Sequence, residues 1–377
     1  MTRARLVLIV AALTALTGRV EAQQPPNVLS PEVHADRRVT FRFHAPEARA
    51  VSVVAMENQP DAAMTKGADG VWSATVGPLP PAIYSYAFRV DGATVTDPRN
   101  PKVKIWLVSN SMVEVPGSPA RATEVQNVPH GTLHEHTYHS ASLEESRGIV
   151  VYTPPGYDQT ADRKYPVLYL LHGFGDNQEA WTDVGRAHVI ADNLIAAGTA
   201  EPMVIVMPYG HGISPLRRGQ IPPAEWARND ERFKTDLVKD VMPMVERTYK
   251  VETTPAKRAV AGLSMGGGQS LSLGLASDGR FAYVAGFSSG APQGDLDTVF
   301  KHIAGNPAAF NERTKLLWVG CGDKDFLLER NRKFVKWLKA AGVKHTYEET
   351  EGAHTWPVWR DYLQRVLPLL FRQGMGE

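Results

Sequence analysis

Two units are expected: a small all-β sandwich, then an α/β unit whose mainly parallel sheet is covered by helices on both faces. Three observations predict this. Over residues 28–115 apolar and polar residues alternate in short runs, the period of two of half-buried strands. From residue 130 onward, strand-like apolar runs alternate with helix-like stretches, as in βαβ units. Between them, Pro116 to Pro129 is polar and turn-rich, a linker by composition. At 377 residues the chain also exceeds what one hydrophobic core usually holds, so two units are the default.

The chain starts with Met-Thr-Arg-Ala-Arg, an apolar run from Leu6 to Leu16, and then Val20-Glu-Ala22. These are the charged, apolar and small-residue regions of a secretory signal, with cleavage expected after Ala22 and a secreted or periplasmic product. The apolar run is short for a bilayer span, and no later stretch approaches about 18 uninterrupted apolar residues. No membrane partner is therefore expected after signal cleavage.

In the sandwich, Val39, Phe41 and Phe43 point one way, as do Val51, Val53 and Ala55, and Tyr84, Tyr86 and Phe88. Asp91-Gly92 is a two-residue hairpin signal, because such turns need positive φ. Pro78, Pro80, Pro81 and Pro98 mark further turns. In the second unit Gly148–Thr153, Tyr165–Leu171, Met203–Met207, Arg258–Ala261, Lys315–Gly320 and His345–Glu349 read as strands. Val184–Ala197, Phe233–Arg247 and Asn331–Ala341 read as helices, and Phe233, Leu237, Val241, Met244 and Val245 form the apolar stripe of the second.

Forty-one Lys and Arg residues balance 40 acidic ones, a net charge of +1, which removes any bulk electrostatic reason to expect nucleic acid as a partner. The single cysteine, Cys321, excludes an intrachain disulfide, so packing alone stabilises the fold.

Lys257 to Met265 runs as a strand into Gly262-Leu-Ser-Met-Gly266, followed by a helix-compatible stretch. A strand-to-helix corner this sharp tolerates only small residues at Gly262 and Gly266, and it presents Ser264 as a nucleophile. A serine hydroxyl needs a base, and the base needs a carboxylate to orient it. Downstream, an apolar strand ends in Cys321-Gly-Asp-Lys-Asp325, which offers Asp323 or Asp325 as the acid, although either could instead cap the following helix. His354 follows the strand at His345–Glu349 and is the expected base, with His302 and His345 as the competitors. For the oxyanion, the backbone N–H of Met265 is one expected donor. The second is Phe174, in the glycine-flanked turn after Tyr165–Leu171. His172, just before that turn, is read as a residue that fixes the loop. Trp356 and Trp359 beside the base are either a platform for acyl group or sugar, or packing residues.

His130, His134, His136 and His139 superficially suggest zinc, but no Cys pair or His-Glu-x-x-His helix accompanies them. No metal and no cofactor is expected.

Six ordered segments carry a resemblance: Gly131-Thr-Leu-His-Glu-His-Thr-Tyr-His139, Val151-Tyr-Thr-Pro-Pro-Gly-Tyr157, Leu171-His-Gly-Phe-Gly175, Gly262-Leu-Ser-Met-Gly-Gly267, Gly320-Cys-Gly-Asp-Lys-Asp325 and His354-Thr-Trp-Pro-Val-Trp359. Over about Val125 to Phe371 the chain resembles the feruloyl and acetylxylan esterases of the first carbohydrate-esterase family, which have the α/β-hydrolase fold. The resemblance implies Ser264 as nucleophile, His354 as base, Asp325 rather than Asp323 as acid, and Phe174 with Met265 at the oxyanion. It also implies feruloylated or acetylated xylan as substrate. Val39-Thr-Phe-Arg-Phe-His-Ala-Pro46, Gly70-Val-Trp72 and Tyr84 to Gly92 resemble the immunoglobulin-like carbohydrate-binding module of family 48, in which Trp72 and Trp106 would be the rings available to sugar. The wider superfamily includes siderophore esterases, for which Arg217-Arg218 is the basic pair on offer. A non-catalytic carbohydrate-binding protein is the reading from another class. Acyl group, sugar chain and oligomeric state stay open.

Overall fold

The computed structural model describes residues 28–105, 107, 109–157, 162–213, 223–290, 292 and 294–372. The expected signal segment, Trp106 and Arg217-Arg218 lie outside them. The first unit is two antiparallel sheets face to face. One runs Glu32–Val33, Val39–His44, Val71–Val76 and Thr65–Lys66; the other runs Ala62–Ala63, Val51–Val54, Ala82–Val90, Asn110–Val115 and Val103–Lys104, with Ala93–Val95 paired to Ala82–Val90. Val39, Phe41, Val51, Val53, Tyr84, Tyr86 and Phe88 interlock between the sheets as their alternation requires. Ala55 departs from the pattern: the strand stops at Val54, and Ala55 turns out to solvent with φ of 58°. Asp91 and Gly92 adopt φ of 46° and 92°, the hairpin geometry expected of them. Trp72 is a core residue whose indole N–H donates to the Ala45 carbonyl at 2.9 Å.

The second unit is an eight-stranded sheet: β1 (Thr132–Ser140), β2 (Glu145–Thr153), β3 (Val167–Leu171), β4 (Val204–Pro208), β5 (Arg258–Leu263), β6 (Tyr283–Phe287), β7 (Leu316–Gly322) and β8 (Thr346–Thr350). Their spatial order is β1-β2-β4-β3-β5-β6-β7-β8, antiparallel across β1, β2 and β4 and parallel from there on. Alternation along β3 shows why helices cover both faces. Leu168 and Leu170 join one core with α1 (Ala187–Ala196) and α5 (Trp356–Val366). Val167, Tyr169 and Leu171 join the other, with α2 (Pro223–Asp236, continued by a π-helical turn Leu237–Val241 and Met242–Thr248), α3 (Ser264–Gly274) and α4 (Leu328–Ala340). Phe233, Leu237, Val241 and Val245 are the fully buried stripe of α2, while Met244 is only partly covered.

The sequence reading missed β6. All five of its residues are buried, as in β3 and β4, but Ala285 and Gly286 break the run of large apolar residues that announces those two strands. Helix α1 begins at Ala187 rather than Val184, because Arg186 sits at φ of 55° and breaks the run. The sandwich is packed on the α1/α5 face: Ile83 and Met112 belong to the same core as Trp181, Trp356 and Leu363. Buried Arg360 of α5 ties the units together, donating to Val184 O and Ile83 O at 2.8 Å each. Within residues 116–129 the described backbone forms no strand or helix, and Asn193 of α1 clamps it by donating to Ala122 O and Glu124 O. Among the described residues no helix is long and apolar enough to cross a membrane.

Candidate active site

Strand β5 passes into α3 through Ser264, whose φ is 52°. This is a costly conformation for a residue with a side chain, and the surrounding packing enforces it. A Cβ on Gly262 would lie 2.5 Å from the Gly266 carbonyl, and one on Gly266 would lie 2.5 Å from His172 O and 2.6 Å from Leu171 O. Both glycines are thus required by backbone approach, and the bend lifts Ser264 to the carboxyl ends of the parallel strands. The Ser264 carbonyl is in turn held by Gly290 N–H at 2.8 Å, from the loop after β6.

His354 lies in the loop between β8 and α5, and Asp325 in the loop between β7 and α4. His354 Nε2 is 3.0 Å from Ser264 Oγ, and Nδ1 is 2.8 and 3.0 Å from the two Asp325 oxygens. Burial works to raise the Asp325 carboxyl, but the hydrogen bond and charge of His354, with Leu327 N–H, hold it below the usual carboxylate range. Asp325 is therefore an acceptor at neutral pH, so Nδ1 carries its proton and Nε2 is left to accept from Ser264. Asp323 is exposed and binds Gly352 N–H at 2.9 Å, which fastens the His354 loop instead. The competing histidines are elsewhere: His302 Nε2 contacts Leu275 O, and His345 Nδ1 contacts Val343 O. Asp325 also receives Leu327 N–H at 2.8 Å, so the helix-entry role weighed for it coexists with its place beside His354.

The Gly173–Gly175 turn is next to Ser264: a Cβ on Gly173 would sit 3.6 Å from Ser264 Cβ. Met265 occupies the first turn of α3, whose N–H groups lack intrahelical acceptors. His172 fixes this turn, as expected. Gly210 N–H donates to its Nε2 at 2.8 Å, so Nδ1 carries the proton and donates to Gly173 O at 2.8 Å. Burial lowers its pKa to about 4, which keeps it neutral. Two supports went unread in the sequence. Gln269 of α3 donates to Gly210 O at 3.0 Å, and His211 Nε2 accepts Gly175 N–H at 3.2 Å. Neither belongs to a motif; only the folded chain brings residues so far apart in sequence together.

Trp356 and Trp359 are 2 % and 6 % exposed. Trp356 stands edge-on against Trp181 and Trp359 edge-on against His354, so packing, rather than a broad platform, is the geometry seen. The exposed ring at the site is Phe326, which sequence reasoning passed over. It is 77 % exposed, and its ring centroid lies 4.4 Å from that of His354. Another unread residue, Asp176, follows the Gly173–Gly175 turn. Burial, opposed by Lys104, pushes its carboxyl up to about 6.

His130 precedes β1, while His134 and His136 on it lie side by side with ring centroids 6.5 Å apart and both pack against Tyr249. His130 meets Asp192 at 3.0 Å, His134 meets Thr153 Oγ1 at 3.0 Å, and His136 meets the Tyr249 hydroxyl. Among the described residues no three His, Cys, Asp or Glu side chains gather as a metal site.

Residues 140–370 match the family model described as "Putative esterase", and residues 28–108 match carbohydrate-binding module 48, the isoamylase N-terminal domain. An endo-1,4-beta-xylanase/feruloyl esterase of Xylanibacter ruminicola is 31% identical over 349 residues, covering 91% of this chain and 46% of that protein. The chain thus spans about half the length of this curated relative. A solved ferulic acid esterase is 27% identical with a TM-score of 0.55, covering 65% of this chain and 98% of that one. Enterochelin esterase of Shigella flexneri, 19% identical with a TM-score of 0.65, shares the fold over 91% of this chain and 95% of its own. The esterase match takes in more than half of the sequence, including Ser264, Asp325 and His354, and the chain belongs to that esterase family.

Proposed function

We propose that the protein is a secreted serine carboxylesterase that removes feruloyl or acetyl groups from plant cell-wall xylan through an acyl-enzyme. The observation that carries this reading is the hydrogen-bonded line from Asp325 through His354 to Ser264. Ser264 Oγ attacks the ester carbonyl carbon as its proton passes to His354 Nε2. The tetrahedral oxyanion takes backbone N–H groups of Met265 and Phe174. The bond to the sugar oxygen then breaks, with His354 returning the proton to that oxygen. Water attacks the acyl-enzyme, His354 accepts the water's proton, and Ser264 leaves with it as the acid is released. Asp325 holds the ring in the tautomer that both half-reactions need.

Phe326 favours the aromatic acyl group over acetyl. An exposed apolar ring against the base offers a stacking surface that a feruloyl ring would cover and an acetyl group would not. The relatives named for feruloyl esterase activity support the same choice. Sugar binding by the sandwich is the accompanying proposal, supported by its match to the carbohydrate-binding module.

Purified protein is tested on methyl ferulate, acetylated xylan and a cyclic catecholate siderophore. Release of ferulate faster than acetate is expected, with Ser264→Ala reducing turnover to background while the circular dichroism spectrum is unchanged. Turnover of the siderophore alone would make the protein a siderophore esterase. Sugar affinity without hydrolysis of any ester, or an active Ser264→Ala variant, would sink the catalytic assignment.

A further inference from the structure

Lys104 belongs to the sandwich, on its short edge strand Val103–Lys104, yet it reaches into the α/β unit. Its ammonium lies 3.9 Å from Asp176 Oδ1 and 5.9 Å from the centre of the Trp356 ring. Asp176 is buried, its side chain 5% exposed, and Oδ1 has no hydrogen-bond donor among the described residues. A carboxylate taken this far out of water is normally hydrogen-bonded on both oxygens. Its location gives the arrangement a consequence. The point 3.6 Å from Ser264 Cβ where a Gly173 side chain would start is also 3.5 Å from Asp176 Oδ2, and Asp176 N–H donates to Gly173 O at 3.3 Å. A negative charge is therefore built directly behind the turn expected to receive the oxyanion.

That charge opposes catalysis, because negative charge develops on the substrate oxygen as Ser264 attacks, and the low dielectric of a buried site strengthens the repulsion. We propose that Lys104 is a positioning residue supplied by the sandwich, which offsets the Asp176 carboxylate behind the Gly173–Gly175 turn and so makes the first unit part of the catalytic apparatus. This rests on Ser264 being the nucleophile. It assigns the sandwich a role separate from any sugar affinity, since Lys104 acts on the chemical step for small and polymeric esters alike. Asp176 shapes the turn through its backbone N–H on Gly173 O, whereas its carboxylate meets only the other unit's lysine among the described residues.

The test uses the full chain and methyl ferulate, a substrate with no sugar for the sandwich to hold. Lys104→Met, which keeps length and removes charge, is expected to lower kcat about tenfold with KM within about twofold of wild type. Lys104→Arg is expected to keep at least half of the wild-type kcat. In the double variant Lys104→Met/Asp176→Asn, kcat should return to within about threefold of wild type, because the charge that needed offsetting is gone. A merely structural Lys104 would lower the melting temperature and would not be rescued by Asp176→Asn. Should Lys104→Met fail to fold, Asp176→Asn alone decides: kcat at or above half of wild type supports the proposal, and a larger fall overturns it. An unchanged kcat in folded Lys104→Met, or no rescue in the double variant, also overturns it. Loss of the underlying reading is distinguishable, since Ser264→Ala would then stay active whatever the Lys104 variants do.

Discussion

At the scale of single residues, the Asp325 carboxylate is the most consequential. It is buried where charge is costly, and what keeps it ionised is the His354 ring it orients. Asp325→Asn should leave the contact geometry nearly intact while removing the preference for a proton on Nδ1. A fall in kcat on the order of 10³ to 10⁴ with little change in KM is expected in steady-state assays. The pH dependence has a definite sign. The folded-state pKa lies below the ordinary 3.8, so this carboxylate's contribution to stability is complete above that value and is lost as pH falls through the folded pKa. Urea midpoints measured on acidification below about pH 4 should fall more steeply for wild type than for Asp325→Asn. Ser264 and His354 were legible in the sequence because their signals are local, a glycine-flanked turn and a loop after a strand. Asp323 and Asp325 were not separable on composition, being two residues apart in one loop. The fold separates them by pointing Asp323 at Gly352 N–H and Asp325 at His354. Asp176 and Phe326 were invisible, since an Asp after glycine looks like an ordinary turn residue and a lone Phe like core.

At the scale of elements, the corner between β5 and α3 depends on how closely three backbone segments approach. Gly266→Ala would press a methyl group against the carbonyls of Leu171 and His172, which belong to the end of β3 and to the turn that follows it. These are backbone atoms, so relief requires moving a central strand, and a loss of about 1–3 kcal/mol is expected. Chemical denaturation should show a lower midpoint with an unchanged slope; a wild-type midpoint would mean that the corner relaxes freely. Short apolar runs bounded by turn residues let β2, β3 and β5 be placed from the sequence, and the helical stripe did the same for α2. Strand β6 escaped because Ala285 and Gly286 interrupt its short apolar run, and the π-helical turn of α2 escaped because it leaves the apolar stripe continuous.

For the whole molecule, the two units share a core, and Arg360 is a buried charged group inside the seam. Burial pulls its pKa down to about 10, so the residue is strained electrostatically, while its guanidinium satisfies carbonyls from both sides. Two terms oppose each other in Arg360→Met. Removing a desolvated charge is favourable, whereas two buried acceptors lose their donor at roughly 1–3 kcal/mol each. The second is expected to dominate. Calorimetry should show a lower melting temperature and separation of the sandwich transition from that of the α/β unit, whereas a single unshifted transition would show that the apolar contacts of Ile83 and Met112 hold the seam alone.

The two-unit order, the strand and helix alternation, the corner at Ser264 and the aspartate loop followed by the His354 loop are all readable along the chain. All of these follow from residue type and short-range spacing, because backbone conformation and burial periodicity are local properties. Folding in three dimensions is what turns Asp325 rather than Asp323 toward His354, braces the Gly173–Gly175 turn with Gln269 and His211, packs Trp356 and Trp359 while leaving Phe326 exposed, and brings Lys104 to Asp176 across the seam. Those contacts join residues distant along the chain, and their partners are chosen by sheet order and by the docking of one unit on the other, which no local pattern encodes.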